Sequence, residues 1–521
     1  MLDYHPMTDA SPAPLRFLGN RANPNYKAVA HLLRTYAAHL GTTLTELDDG
    51  TDTAGRDATG APNTTPNTAS TANAAPDIFW DRGHPPAGKN GVPSLVFPGR
   101  AAAEAETACS RTRGGYPLPL PVTALRPGIH PGAGKVLEAV DGLTLAWDGP
   151  DGYVLVSEWD LLSFCADILF RRADHQSGRR RQAREAIGVG HWDQAFGLLE
   201  EPWVDRWMFR LLGLLPRLRD AVDALPGSAR LWLTHDLDNL AKWRLRSVAG
   251  QILRTPVQLA KRRFAPLAQA WSEIAVRGLT GRDPYDVMDR VIAMEKGQGR
   301  RSANFFLANG RDHLFHRYDL EKPRFRKVML RCLKQGMDVG LHGQVHFISD
   351  AKGIEAEKAK LERLSGVPAH LNRQHYLRWD PAATFAGLDA AGIAVDSTLG
   401  YNDSPGFRCG TAFPFLWFDC ASGKATRLLE VPLILAEFQF YDPQAFDAEA
   451  VRRTMEKILE AAVRQGGVAT VLFHNQYFHE AEFPGHGAVY AHLLAWAAER
   501  KLPDFDPLGT HARYLVGKPK A

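Results

Sequence analysis

Five short runs of this chain concentrate carboxylate, imidazole and guanidinium groups: Thr234-His235-Asp236-Leu237-Asp238, His342-Gly343-Gln344-Val345-His346, Arg373-Gln374-His375-Tyr376, Asp396-Ser397 and His474-Asn475. In an extended segment, residues two apart point the same way, so Asp236 and Asp238 can face one site. His342 and His346 are four apart; if a helix or turn begins there, both imidazoles lie on one side. Two imidazoles and one carboxylate form a ligand set that leaves coordination positions open for water and substrate. A second carboxylate beside them can take the proton from that water. The chemistry implied is metal-dependent hydrolysis. Each run also has a plainer reading. A DxD pair serves as a turn or N-cap device, an HxxxH pair decorates many surface helices, Arg373 alone is a salt-bridge residue, and His474 alone is a satisfied core histidine. Their joint order and spacing favour the functional reading.

These groups need a frame, and the texture of the chain from Ala229 onward supplies one. Short apolar runs at 231–234, 303–307, 339–341, 371–375, 393–396, 428–431 and 469–473 read as strands. Helical patterns fall between most of them, for example at 324–335, 355–364, 380–391 and 447–464. Such alternation means a mainly parallel sheet or barrel, and seven strands point to an incomplete (β/α) barrel. In a parallel barrel, catalytic groups belong at the C-terminal ends of the strands. The five runs above sit at such ends. The stretch 239–299 is a long insertion after the first strand, and its pattern from Trp243 through Val276 is helical and basic.

The rest of the chain bounds the answer. With 521 residues, 45% apolar and 23% charged, there is room for two or three domains of ordinary globular composition. Its 62 basic and 58 acidic residues leave +4, too balanced for nucleic acid to be the main partner. The run Arg171-Arg172 and Arg179-Arg180-Arg181 reads as a solvated face. Cysteines at 109, 165, 332, 409 and 420 form no CxxC pair, so neither a zinc ribbon nor a disulfide framework is indicated. Reduced thiols fit a cytosolic protein. The first residues, MLDYHPMTDASPAPLRF, contain no apolar signal core, and no apolar stretch of ~18 residues occurs, so a cytoplasmic protein without a membrane span is expected.

The expected organisation is an N-terminal α/β segment at 1–48, a disordered low-complexity linker or loop at 49–76, a continuation of the α/β domain at 77–225, and the barrel at 226–521. Residues 49–76, DGTDTAGRDATGAPNTTPNTASTANAAP, lack the large apolar side chains that would offset their ordering entropy. Before them, Ala28, Leu32, Leu33, Tyr36 and Leu40 recur at helical spacing and predict a helix over 26–39. After them, strands are expected at 94–97, 143–147 and 153–156, the last two as a hairpin, and helices at 158–171 and 203–224. His130-Pro-Gly-Ala-Gly-Lys135 has the look of a phosphate loop. However, Ile129 stands where its first glycine belongs and Val136 where Ser or Thr would hold magnesium.

The segment from about 229 to 480 resembles the NodB-homology domain of the polysaccharide deacetylases (carbohydrate esterase family 4), whose fold is a distorted seven-stranded (β/α) barrel. Thr234-His235-Asp236-Leu237-Asp238 is similar to a divergent form of the family's first motif, with one residue between the two aspartates. By that resemblance Asp236 is the catalytic base and Asp238 a metal ligand. His342 and His346 match the second motif and complete the metal triad. Arg373, in Asn-Arg-Gln-His-Tyr, matches the arginine that holds the base carboxylate; Gln374 and His375 stand where prolines are usual. Asp396-Ser397-Thr398 matches the fourth motif loosely. Val471-Leu472-Phe473-His474 matches the fifth, whose histidine is the general acid, and Asn475 stands where aspartate is common.

The resemblance covers about half the chain and implies removal of N-acetyl or O-acetyl groups from a sugar or surface-glycan precursor. Zinc is the expected metal, with iron(II), cobalt and nickel also suited to two histidines and a carboxylate. A backbone N–H near Tyr376 is expected to help hold the oxyanion. Tyr376, Trp379, Tyr401 and Phe407 could form a platform for a sugar ring, or pack in the core. Two other readings compete. A metal-dependent glycosidase needs carboxylates on both sides of the sugar, and Asp236 and Asp238 on one strand are too close for that. A degenerate domain that binds glycan or organises an assembly would not need base, ligands and acid together. No GxSxG elbow supports a serine hydrolase.

Overall fold

The computed structural model describes residues 15–19, 21, 26–46, 78–80, 94–97, 135–140, 143–148, 153–156, 161–171, 199–213, 215–308, 318–420, 422–441 and 446–516. The expected linker at 49–76 and the phosphate-loop-like residues 130–134 lie outside the described residues.

Seven strands form the first sheet: β1 (Leu15–Gly19), β2 (Leu44–Glu46), β3 (Ile78–Trp80), β4 (Ser94–Phe97), β5 (Lys135–Val140), β6 (Leu143–Asp148) and β7 (Tyr153–Val156), in the order β2-β1-β3-β4-β7-β6-β5. Pairing is parallel from β2 to β7, and β6–β7 is the antiparallel hairpin expected from the two β-prone runs. The helix Tyr26–His39 buries Leu32, Leu33 and Tyr36 in the same apolar cluster as Phe209, Phe413 and Trp417, so one core joins these N-terminal elements to the C-terminal half. Asp205 lies within that junction, fully buried, and accepts the Tyr36 hydroxyl at 2.6 Å, the Thr411 hydroxyl at 2.6 Å and the Ala412 N–H at 2.8 Å. Burial pushes its carboxyl up to about 7, although the three donors pull the other way. The helix expected over 203–224 is two, Trp203–Leu212 and Pro216–Ala224. Pro216 has no N–H to continue the first helix, and it holds Leu215 in an extended conformation.

The second sheet has nine strands: β8 (Arg230–Leu237), β9 (Ser302–Phe306), β10 (Asp338–Gly343), β11 (Leu371–Gln374), β12 (Val395–Asp396), β13 (Phe415–Asp419), β14 (Lys424–Glu430), β15 (Leu435–Ala436) and β16 (Val468–Leu472). Their order is β13-β14-β12-β11-β10-β9-β8-β16-β15. The seven strands expected from the sequence are the inner, all-parallel seven. The two that the sequence did not announce close neither edge: β15 adds a parallel pair outside β16, and β13 runs antiparallel outside β14. The result is a curled, partially open sheet. Its curl is measurable. β8 and β11 are three strand spacings apart, ~14 Å if the sheet were flat, yet Arg373 Nη1 on β11 lies 2.7 Å from Thr234 Oγ1 on β8.

Alternation along the strands sorts the side chains. Trp232, Phe305, Leu371, Val395, Leu429 and Val468 form an apolar floor on the concave face, closed below by Phe505. Gly340 is required there, because a Cβ would come 2.6 Å from the Phe305 ring. One layer above the floor, the same face carries Thr234, Asp236, His342 and Arg373. On the opposite face of β8, His235 is bracketed by the Phe473 carbonyl at 2.6 Å and Glu295 at 2.8 Å. Glu295 also accepts the Tyr490 hydroxyl at 2.5 Å and the Ser302 hydroxyl at 2.8 Å, which ties β8 and β9 to the helix His486–Glu499 behind them.

Candidate metal centre

Asp236 and Asp238 leave β8 on the concave side, as period-two alternation requires, and both are buried. Arg373, fully buried, spans the sheet to Asp236: Nη1 donates to Asp236 Oδ1 at 3.0 Å and to Thr234 Oγ1. Its remaining donors are fixed by the residue after β12. Nε donates to the Ser397 carbonyl at 2.9 Å and Nη2 to the Ser397 hydroxyl at 3.0 Å. Ser397 is held in turn because Asp396 accepts the Thr398 N–H at 3.0 Å and the Asn372 amide at 2.6 Å. Burial, together with the neighbouring Asp396 carboxylate, pushes Glu430 well above the carboxylate range, and burial also raises Asp396. The loosely matched Asp396-Ser397-Thr398 run is thus the bracket that aims Arg373.

His342 lies within β10, and its Nδ1 is 2.8 Å from the Arg373 carbonyl. A carbonyl only accepts, so Nδ1 carries the proton and Nε2 presents a lone pair. That lone pair faces Asp238 Oδ1 at 3.1 Å and Asp236 Oδ2 at 3.7 Å. His375 Nε2 lies 3.5 Å from Asp238 Oδ2. Ligand atoms of Asp238, His342 and His375 all fall within 4.8 Å of one another, and all three residues are buried. Two ligands of one tetrahedral ion at ordinary bond lengths stand roughly 3.3 Å apart, which matches these separations. Asp238 Oδ1 is buried and accepts no hydrogen bond. An imidazole lone pair against an orphaned carboxylate oxygen is repulsive unless a cation lies between them, so the donor set fits a divalent metal.

The structure thus brings His375, and not the expected His346, to Asp238 and His342. His346 is exposed, on the short 3-10 turn Val345–Phe347. The reading of His342 and His346 as one helical face required a helix or turn to begin at His342. Instead β10 continues through Gly343, and the chain turns only beyond Gln344, whose N–H is held by the buried Glu357 at 3.1 Å. His375 enters from the turn after β11, where Tyr376 and Leu377 both take left-handed conformations (φ 59° and 52°). Two consecutive non-glycine residues there mean local strain, of a kind found where a side chain must be aimed. The Asn402 amide braces the turn by donating to the Tyr376 carbonyl at 2.8 Å.

His474 follows β16 and reaches the cluster from the other side, with Nε2 3.4 Å from Asp238 Oδ2. Its Nδ1 lies 2.6 Å from Glu437 Oε1. Burial works against the charged imidazole, but Glu437 and Asp238 outweigh it and raise the His474 pKa well above its ordinary value. Glu437 was not among the expected site residues. Its trace in the sequence is an acidic residue ending the apolar run 433–436, the same strand-end pattern as the other runs. Asn475 points away and ties β16 to the insertion, donating to the carbonyls of Asn239 at 2.8 Å and Tyr285 at 2.9 Å.

The expected aromatic platform divides. Tyr376 is 37% exposed beside the cluster and stacks on His375 at 4.0 Å. Trp379, Tyr401 and Phe407 are core residues with 0–1% exposure. Trp379 packs on Phe385 and Trp417, and Phe407 belongs to the apolar layer outside the sheet.

No family model matches the chain, and no curated protein matches it. Among solved structures, it is similar to a protein from Mycobacterium smegmatis assigned to the polysaccharide deacetylases, at 16% identity and a TM-score of 0.38, over 56% of this chain and 93% of that one. It is also similar to a protein from Pseudomonas aeruginosa PAO1 with the same assignment (13%, TM-score 0.37, 56% and 92%) and to the peptidoglycan deacetylase PdaC from Bacillus subtilis (14%, TM-score 0.23, 56% and 93%). At these values the functional reading rests on the site residues themselves.

Proposed function

We propose that the chain is a metal-dependent hydrolase of the polysaccharide-deacetylase type, built on a distorted NodB-like (β/α) barrel, that removes acetyl groups from an amino sugar or surface-glycan precursor. The observation that carries this reading is the buried carboxylate–bis-imidazole cluster, with Asp238 Oδ1 lacking any hydrogen bond and facing an imidazole lone pair. Asp238, His342 and His375 would hold the metal, and zinc suits a mixed N/O set of this kind. A bound divalent cation would supply Lewis acidity to the attacking water and the acyl oxygen.

The surrounding residues fit the two proton transfers that amide hydrolysis requires. Asp236 is spared from the ligand set and oriented by Arg373, as a general base must be. His474, kept protonated by Glu437, is placed across Asp238 to give a proton to the leaving amine. An amine leaves poorly unless protonated, so an acid on this side is needed for an amide substrate. Both aspartates sit on the same side of the site, near His342, which does not suit the opposed carboxylates of a glycosidase.

The test compares two isosteric variants. Asp236→Asn should keep the metal and lose ~10²–10⁴-fold in acetate release from N-acetylated sugars. Asp238→Asn should be metal-poor when purified protein is analysed. Near-normal turnover in Asp236→Asn overturns the mechanism, and a metal-replete Asp238→Asn overturns the ligand assignment.

A further inference from the structure

The insertion that follows β8 is built inside out. Its helices Leu245–Ala260 and Phe264–Thr280 pack on each other, and within them only Gln251, Leu267 and Glu273 are buried. The side chains turned inward on the first helix are polar. Gln251 donates to Gln258 Oε1 at 2.8 Å, and Thr255 Oγ1 accepts the Trp271 indole N–H at 3.2 Å. The outward ones are apolar. Positions 245, 249, 252, 253, 256 and 260 form one stripe of the first helix, and 264, 268, 271, 275 and 279 one stripe of the second, nearly all of them apolar. Leu245 is 92% exposed, Leu253 78% and Leu279 87%. Nine of the 15 large hydrophobic residues exposed among the described residues lie between Leu245 and Leu279. A surface helix of a globular protein has the reverse pattern.

Charge is equally one-sided. Between 242 and 282 there are nine Lys and Arg residues and one carboxylate, Glu273, which is buried and paired with Lys242 at 3.0 Å. Arg277 pairs with Asp283. Arg246, Arg254, Lys261, Arg262, Arg263 and Arg282 have no carboxylate partner among the described residues. Outward apolar stripes flanked by unneutralised cations match an interfacial helix, which needs hydrocarbon for the first and phosphate for the second. A second copy of this chain would set cations against cations.

We propose that the hairpin 245–280 docks on an anionic lipid bilayer, lying in the headgroup layer. No described helix is long and apolar enough to cross a membrane. The base of the hairpin is tied to the rim of the metal centre. Asp283 accepts the N–H groups of Lys242 and Trp243 at 2.7 and 3.1 Å, and Asn475 holds the Asn239 carbonyl. Docking therefore sets the mouth of the site beside the headgroups, whatever the site hydrolyses.

The experiment is co-sedimentation of the full chain with vesicles of phosphatidylcholine alone and of phosphatidylcholine mixed with phosphatidylglycerol, at low and high salt. Binding to the anionic vesicles should be about tenfold or more tighter than to the neutral ones, and salt should weaken it. Leu253→Glu/Leu279→Glu should lose at least about tenfold of that binding with an unchanged melting temperature, since both side chains are exposed. Leu253→Ser/Leu279→Ser, which adds no charge, should also bind less. Arg254→Gln/Lys261→Gln/Arg263→Gln should reduce the preference for anionic vesicles. Equal or absent binding to the two vesicle types overturns the proposal. So does a parent chain that is dimeric by sedimentation equilibrium and becomes monomeric in either leucine variant.

Discussion

Both the candidate metal centre and the helical hairpin begin at the end of β8, and they treat polar groups in opposite ways. In the centre, Asp236, Asp238, His342, Arg373 and His474 are all buried, and all but Asp238 are aimed by a second polar group: Arg373 for Asp236, Ser397 for Arg373, the Arg373 carbonyl for His342, Glu437 for His474. Below them the floor of Trp232, Phe305 and Leu371 excludes water and makes those contacts strong. In the hairpin, buried polar residues are few, and the apolar residues that would normally build a core face outward. Burying charge is costly unless it is paired, so the first arrangement persists because its partners are complete apart from the atoms that fit a cation. The second persists because exposed leucines contribute almost nothing to folding and are available to an external surface.

The largest expected effect separates the two candidate third ligands. His375→Ala should lower metal affinity by at least ~10–100-fold, the loss typical even of groups one step removed from a metal. His346→Ala should leave metal content unchanged, because its side chain is exposed while that of His375 is in the cluster. Metal analysis after dialysis against a weak chelator reads both; the opposite result would return His346 to the ligand set.

A smaller effect is expected at Asp205, a buried charge away from the site. Its carboxyl titrates near 3.8 when unfolded and near 7 when folded, so the folded state binds more protons between those values. Its contribution to stability is full below about pH 4 and is lost as pH rises toward 7. Asp205→Asn should flatten that part of the melting-temperature profile. It should also cost about 1–3 kcal/mol, because the amide must oppose one of three donors. Thermal melts across that pH range check both, and an unchanged pH slope would show that Asp205 does not titrate there.

The smallest effect belongs to the hairpin. Leu253→Ser/Leu279→Ser should change unfolding free energy by no more than ~0.5 kcal/mol. A buried leucine such as Leu233 truncated to alanine should cost about 2–5 kcal/mol. Denaturant titrations of the two variants measure the difference. Equal losses would mean that the hairpin leucines are covered in the folded chain and would remove the contrast drawn above.

Local pattern was enough for much of this. Apolar period, helix length and turn residues are short-range properties, so the inner seven strands, the helix Tyr26–His39 and the β6–β7 hairpin were legible in the sequence. Asp236 and Asp238 could be read as one-sided because alternation in a strand is fixed by backbone geometry. The basic, helical character of the insertion was equally visible, but not which of its faces would meet solvent. What tertiary structure decided was distance and direction. β10 runs one residue past His342, which leaves His346 outside, and a left-handed turn at Tyr376 and Leu377 swings His375 in. Glu437 becomes the partner of His474 only because the short β15 pairs beside β16. Trp379, Tyr401 and Phe407 are buried by tertiary packing, and no spacing in the sequence records that. A ligand set is a statement about a few ångströms between residues up to 137 positions apart. The curl of the sheet and the point at which each strand ends determine those ångströms, and both emerge only when the whole core packs.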